Sequence, residues 1–230
     1  MNIAELWRYP VKSMAGERLE STWLGPNGIP GDRVVYVVDG RGEILSARTK
    51  PRLLAHRGSL TPDGEVLVDG LPWTSPEAAA LVRAAAGADA RLVRAEGAER
   101  FDILPLLVAT DGAIAAFGHD ARRLRPNVIV GGVDGLTERG WEGTVLEAGD
   151  AAIALADLRG RCVVTTWDPD TLTQDADVLR RIRAEFGGSL ALNAWPAREG
   201  RIAVGDAVRK LEDPVELPMP ELGRFVVAPV

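Results

Sequence analysis

Cysteine is almost absent from this 230-residue chain, Cys162 being the only one. One thiol excludes an intramolecular disulfide framework, a Cys-rich zinc site and a four-Cys iron–sulfur cluster carried by this chain. The two histidines, His56 and His119, add little metal capacity. Long apolar runs are missing as well: no segment approaches the ~18 residues of a membrane span. Glu5, Arg8 and Lys12 occupy the start of the chain, where a signal peptide would need an apolar stretch. A soluble cytoplasmic protein without a membrane partner is therefore expected. There is no Gly-rich Walker loop, no full dinucleotide fingerprint, no His-Glu-x-x-His and no Gly-x-Ser-x-Gly, which removes most nucleotide-dependent, zinc-dependent and serine-hydrolase chemistries. An excess of positive charge is lacking too. Lys and Arg number 27 against 33 Asp and Glu, a net charge of −6, opposite to what a general nucleic-acid binder needs.

What is present suffices for a sizeable core, with 46% hydrophobic and 26% charged residues. The first half reads as short strands at 2–8, 17–24, 33–39 and 65–68, with Val34, Tyr36 and Val38 on one face of the third. A long turn over Gly25–Gly31 and a hairpin end at Gly40–Arg41–Gly42 separate them. Ser75–Pro76–Glu77 predicts a helix start and Gly87 its end. A strand at 90–94 precedes the polar, alanine-rich stretch Ala95–Arg100, where two halves divide into 1–95 and 96–212. The second half predicts strands at 105–109, 127–131, 144–147, 151–156 and 162–167, a short helix from 111 and a helix at 176–186. The chain is thus mainly β with a few helices, an α+β barrel or sandwich class. Residues 213–230 hold Pro214, Pro218, Pro220 and Pro229 and read as an extended tail, in which Phe225, Val226 and Val227 could add an edge strand or a partner contact.

Chemistry concentrates in four clusters. In Arg159–Gly160–Arg161–Cys162, two guanidinium groups beside a thiol would favour the thiolate, which is both nucleophile and soft-metal ligand. Taken alone, a lone Cys at the start of a strand is more often a small core residue. The Asp168–Pro169–Asp170 segment that follows reads as a turn. In Arg125–Pro126–Asn127, proline pushes Arg125 towards extended backbone, presenting a fork-shaped cation and an amide at a strand mouth. That pair suits a phosphate or a heteroaromatic ring edge, although Arg125 could equally pair with a surface acid. Tyr9–Pro10–Val11–Lys12–Ser13 brings a cation and a hydroxyl out of the first strand together. Ser46–Ala47–Arg48–Thr49–Lys50–Pro51–Arg52–Leu53 is a basic loop whose Arg48 and Arg52 share a face if extended.

Together, and in this order, Trp7-Arg-Tyr-Pro-Val-Lys-Ser, Ser46-Ala-Arg-Thr-Lys-Pro-Arg-Leu, Leu124-Arg-Pro-Asn-Val-Ile-Val and Arg161-Cys-Val-Val-Thr-Thr-Trp-Asp-Pro-Asp-Thr resemble MOSC-domain proteins. That family includes the amidoxime-reducing components and their bacterial relatives. Gly200-Arg-Ile-Ala-Val-Gly-Asp-Ala-Val resembles its closing strand and turn, so the likeness spans about residues 1–212. It implies an N-terminal β-barrel-like domain followed by a MOSC β-barrel domain, with molybdenum–molybdopterin cofactor between them. By resemblance Cys162 is the molybdenum ligand and catalytic centre. Lys12, Ser13 and Arg48 contact the pterin, and Arg125 and Asn127 hold its phosphate or ring edge. Thr110, close to Phe101-Asp-Ile-Leu-Pro-Leu-Leu-Val, is carried over as a further cofactor contact. Gly160 stands where the amidoxime reductases often carry a second Cys.

The resemblance implies an oxidoreductase that reduces N-hydroxylated small molecules, amidoximes and hydroxylaminopurines among them. A single cysteine cannot supply an iron–sulfur centre, so electrons would come from a separate ferredoxin- or cytochrome-type protein with its reductase. The alternative is a module that carries the cofactor or sulfur without turnover. Pyridoxal phosphate, which general descriptions of the family mention, is not expected, since no aminotransferase-like domain is present.

Overall fold

A computed structural model describes residues 1–97 and 100–211. The Pro-rich tail at 213–230, including Phe225, Val226 and Val227, lies outside the described residues. The first-half strands are β1 (Asn2–Arg8), β2 (Glu17–Leu19), β3 (Ser21–Leu24), β4 (Val35–Val38), β5 (Ile44–Leu45), β6 (Gly58–Leu60), β7 (Val66–Val68), β8 (Leu71–Pro72) and β9 (Arg91–Arg94). Helix α1 (Pro76–Ala86) sits between β8 and β9. The second half continues with β10 (Leu106–Thr110), α2 (Asp111–Phe117), β11 (Val128–Gly131), β12 (Val145–Ala148) and β13 (Ala151–Gly160). It ends with α3 (Ala176–Phe186), β14 (Ser189–Arg198), β15 (Gly200–Ala203) and β16 (Val208–Lys210).

The mainly-β class with a few helices holds. The largest sheet runs β16-β12-β13-β14-β10-β11-β1-β2, so β1 and β2 from the start of the chain are hydrogen-bonded into the strands of its second half. β3 likewise pairs with β15. No closed barrel forms among the described residues, although Val208 N donates to Met1 O at 2.9 Å and Asn2 bridges Ala207. β10 and β11 are parallel, with α2 as their crossover. One core lies on this sheet and includes Ile3, Leu6, Val108, Val128, Ile153 and Leu192. A second fills the first half, with Val35, Val37, Leu53, Val68 and Val82. On β4 the core face is Val35 and Val37, opposite to Tyr36.

Local chemistry explains the helix ends. Ser75 Oγ accepts from Ala78 N, with Pro76 in the first turn, and α1 stops at Gly87 as expected. On α3, Asp175 accepts from Asp177 N, Gly187 closes the helix at φ 61°, and Val178, Ile182 and Phe186 bury one face at i, i+4, i+8 spacing. Two strand expectations are corrected. The 17–24 segment is two strands, because β2 pairs with β1 and β3 with β15. The strand expected at 162–167 is a 3₁₀ turn over Val163–Thr166. Its β-branched residues suggest a strand, but Thr165 Oγ1 donates to Cys162 O at 2.8 Å and Thr166 Oγ1 to Val163 O at 2.7 Å, bonds that favour a turn. Cys162 therefore stands just beyond β13 rather than within a strand.

Candidate functional site

A cleft with about 840 Å³ of open space lies where the ends of the second-half strands meet the first-half loops. Lys12, Ser13, Arg48, Arg125, Asn127 and Cys162 all line it. The structure thus brings together residues from four separate motifs. Thr110 is not among them. It is fully buried; its Oγ1 accepts from Ala113 N to cap α2 and meets Glu138 Oε2 at 3.3 Å, so its side chain is committed to the core side of β10.

Cys162 follows β13, and its turn is pinned from several directions. Arg161 N donates to Gly188 O at 2.9 Å and Arg161 Nη2 to Leu124 O at 2.7 Å. Arg123 Nη1 reaches Thr165 O at 3.3 Å, and its Nη2 pairs with Asp168 at 3.0 Å. Asp168 is the turn former expected of it, accepting from Asp170 N, Thr171 N and Thr171 Oγ1. These backbone bonds, first that from Thr171, hold its carboxyl down at about 2.

Opposite the thiol, Asp102 gathers three cations. Its carboxylate lies 2.9 Å from Lys12 Nζ and 3.2 Å from both Arg48 and Arg159. Burial alone would raise its pKa, but Lys12, Arg48 and Arg159 hold it well below the usual carboxylate range. Lys12 moves the other way: burial lowers its pKa although Asp102 opposes the shift. Burial would lower the Arg48 pKa, but the charge of Asp102 and then that of Cys162 raise it. Ser13 Oγ accepts from Ala47 N at 2.9 Å, fastening the first motif to the basic loop.

The third wall is built on Tyr9. Its hydroxyl donates to Pro126 O at 3.1 Å, and the Arg125 and Arg33 guanidinium carbons lie 4.3 and 5.1 Å from its ring centroid. Burial brings Arg125 down to about 10. Arg161 also falls to about 10, by burial first and then by repulsion from Arg159. Arg125 does not take the extended backbone that Pro126 was expected to impose. It closes the 3₁₀ turn Ala121–Arg123 at φ 57°, its N–H donating to Arg122 O. Ser13 and Arg33, also on the cleft wall, have φ of 71° and 53°. Non-glycine residues in this region each cost about 1 kcal/mol or more, and such strain gathers at binding sites.

Asn127 turns out to be an internal clasp. Its Oδ1 accepts from Leu107 N at 3.2 Å and Arg33 Nη1 at 3.3 Å, and its Nδ2 donates to Trp7 O at 3.2 Å. Arg33, Asp102 and Asn193 complete the lining and were not foreseen as site residues, while Arg159 and Arg161 were noted only as neighbours of the thiol. Asp102 sits inside the Phe101-Asp-Ile-Leu-Pro motif already singled out, so a signal for it existed. Arg33 carries none beyond its place after the glycine-rich turn.

Two family models account for nearly all of the chain. The MOSC N-terminal beta barrel domain matches residues 1–103, and the MOSC domain matches residues 109–209. The chain is a MOSC-domain protein. Its sequence is 27% identical over 229 residues to human mitochondrial amidoxime-reducing component 1, spanning 74% of this chain and 67% of that protein. Mitochondrial amidoxime reducing component 2 of Macaca fascicularis is also 27% identical, with the same shares covered. Among solved structures, the YUAD protein of Bacillus subtilis is 13% identical with a TM-score of 0.46, covering 90% of this chain and 93% of that one. Among the described residues of this MOSC protein, no helix is long and apolar enough to cross a membrane.

Proposed function

We propose that the cleft holds a molybdenum–molybdopterin cofactor, and that the loaded protein reduces N-hydroxylated small molecules such as amidoximes with electrons from an external redox protein. The observation that carries this reading is a single soft donor, Cys162, sharing a cleft with two buried guanidinium atoms, Arg125 Nη2 and Arg161 Nε, that have no hydrogen-bond partner among the described residues. Leaving buried donors unpaired costs about 1–3 kcal/mol each, so they fit an anionic group that belongs there. The donor set agrees with the cofactor's chemistry. A thiolate is a suitable soft ligand for a metal already held by sulfur, and planar guanidinium forks match phosphate oxygens.

In this reading Cys162 binds the metal, and Arg125 and Arg161 hold the phosphate. Lys12, Ser13 and Arg48 face the pterin, their side chains positioned by Asp102 and the Ala47 amide. Asn127 acts by holding Arg33 and the Trp7 carbonyl in place. The bound cofactor supplies a two-electron centre able to take oxygen from an N–OH group. The substrate class follows the names of the amidoxime-reducing relatives. The only thiol of the chain is committed to the metal, so the electron donor is a separate protein.

The test is molybdenum and pterin content of the protein produced in a cofactor-making host, followed by benzamidoxime turnover with reduced viologen. About one molybdenum per chain with turnover supports the proposal. Molybdenum without turnover would make the protein a carrier, and no molybdenum would overturn the cofactor assignment itself.

A further inference from the structure

A second pocket, with about 950 Å³ of space that includes open solvent, shares with the cofactor cleft only the wall formed by Arg125 and Val164. Cys162 does not line it. Its apolar lining includes Trp7 and Trp167 together with Leu54 and Pro169. The Trp7 ring is fixed by donation from Nε1 to Glu5 Oε2 at 2.7 Å and by stacking near Tyr9 at 6.5 Å between centroids. The rim carries positive charge.

Most of that charge is already matched. Arg18 pairs with Glu5 at 3.5 Å, Arg123 with Asp168 at 3.0 Å, and Arg122 with Asp120 and Asp170 at 2.7 Å each. The Asp170 carboxylate on the rim is thereby held by Arg122. One cation remains open. Arg57 is exposed, and among the described residues its guanidinium has no acid partner.

We infer that this second pocket is a binding site for a planar aromatic anion, its ring lying against Trp7 and Trp167 and its carboxylate or phosphate meeting Arg57. Indole faces favour flat rings over branched aliphatic groups, and a free guanidinium at the edge of an apolar lining selects a ring that carries an anion. The site needs neither the metal nor Cys162, so it stands whether or not the cofactor assignment does.

The test uses the full-length protein and four probes: 2-naphthoate, 2-naphthyl phosphate, uncharged 2-naphthamide and cyclohexanecarboxylate. Binding is read by calorimetry and by tryptophan emission. Saturable binding of either naphthyl anion is expected, at least tenfold tighter than naphthamide and cyclohexanecarboxylate. Arg57→Ala should weaken it about tenfold, and Trp167→Phe should reduce both affinity and the emission change. Cys162→Ser should leave it unaltered. Absence of saturation at millimolar concentration would overturn the inference. So would equal binding of naphthamide or of cyclohexanecarboxylate, indifference to Arg57→Ala, or loss in Cys162→Ser, which would send the probe to the cofactor cleft instead.

Discussion

The Arg125 guanidinium carbon lies 4.3 Å from the centroid of the Tyr9 ring, and the Tyr9 hydroxyl reaches the carbonyl of Pro126, the residue that follows Arg125. One tyrosine from the end of β1 thus sets both the height and the backbone of the arginine that separates the two pockets. The Arg33 guanidinium carbon lies 5.1 Å from the same ring centroid, so one ring attracts both cations and offsets part of their mutual repulsion.

Removing only the hydroxyl and removing the ring should therefore differ in kind. Tyr9→Phe leaves the Pro126 carbonyl without its donor and should cost about 1–2 kcal/mol, while the ring keeps Arg125 in place and cofactor occupancy is maintained. Tyr9→Ala should cost about 3–5 kcal/mol and lower occupancy as well, because a buried aromatic is lost and both guanidinium groups lose their support. Denaturant titration and pterin content measure the two effects. Equal occupancy in the two variants would show that the ring does not position Arg125.

Asp168 predicts an acid-sensitive turn beside Cys162. Its carboxyl is held at about 2 by backbone bonds from Thr171 and Asp170 and by the Arg123 pair. A depressed carboxylate contributes stability that is present above its unfolded value near 4 and lost as the pH falls from about 4 to about 2. Asp168→Asn should therefore be less stable than the wild type at pH 6, with the gap narrowing below pH 4. The Arg123 contact to Thr165 O should loosen with it, seen as faster amide exchange at Thr165. A stability gap independent of pH would point to lost packing instead of lost charge.

The residues that line the cleft were more legible in the sequence than the sheet was. Cys162, Arg125, Lys12 and Arg48 are chemically distinctive residues in ordered motifs; of the strands that carry them β1 and β11 are neighbours, while β13 lies three strands away in the same sheet and β5 in a separate one, so the cleft is gathered by the loops that leave those strands. β14 is the opposite case. Ser189–Arg198 holds Pro196 and a buried Asn193, features that argue against a central strand, and no element was expected there. It pairs on both sides nonetheless, since β10 begins at Leu106 opposite Ala194 and makes no demand on the missing Pro196 N–H. Thr110 shows the limit of motif position as evidence. Its hydroxyl is captured by the α2 terminus that begins one residue later, a local bond that sequence distance to the motif does not reveal.

Glu138 sits at the far end of the contact that removes Thr110 from the cleft. The residue is fully buried, burial raises its pKa, and Oε1 has no hydrogen-bond partner among the described residues. A raised carboxyl contributes stability that is complete below its unfolded value near 4.5 and is lost as the pH rises through the folded value. Glu138→Gln removes that dependence while keeping an acceptor for Thr110. The variant should gain on the wild type in melting temperature between pH 5 and pH 8. A constant difference across that range would mean that Glu138 does not titrate there.

Arg161 offers the sharpest separation between charge and shape in the cleft that Cys162 lines. Its Nη2 donates to Leu124 O at 2.7 Å, while Nε is buried with no hydrogen-bond partner among the described residues. Burial and Arg159 bring its pKa down to about 10, yet a guanidinium at that value stays charged at neutral pH. A lysine in the same surroundings starts from a lower pKa, lacks the fork and would surrender its proton far more readily. Arg161→Lys should therefore weaken pterin retention by about ten- to a hundredfold at pH 8, the equivalent of a charge-assisted bond of about 1.5–3 kcal/mol, and recover part of it at pH 6. Arg161→Gln, with no charge to regain, should be equally weak at both values. If Lys and Gln behaved alike across the pH range, the contribution of Arg161 would be its bond to Leu124 and not its charge, and the phosphate would have to be assigned to Arg125 alone.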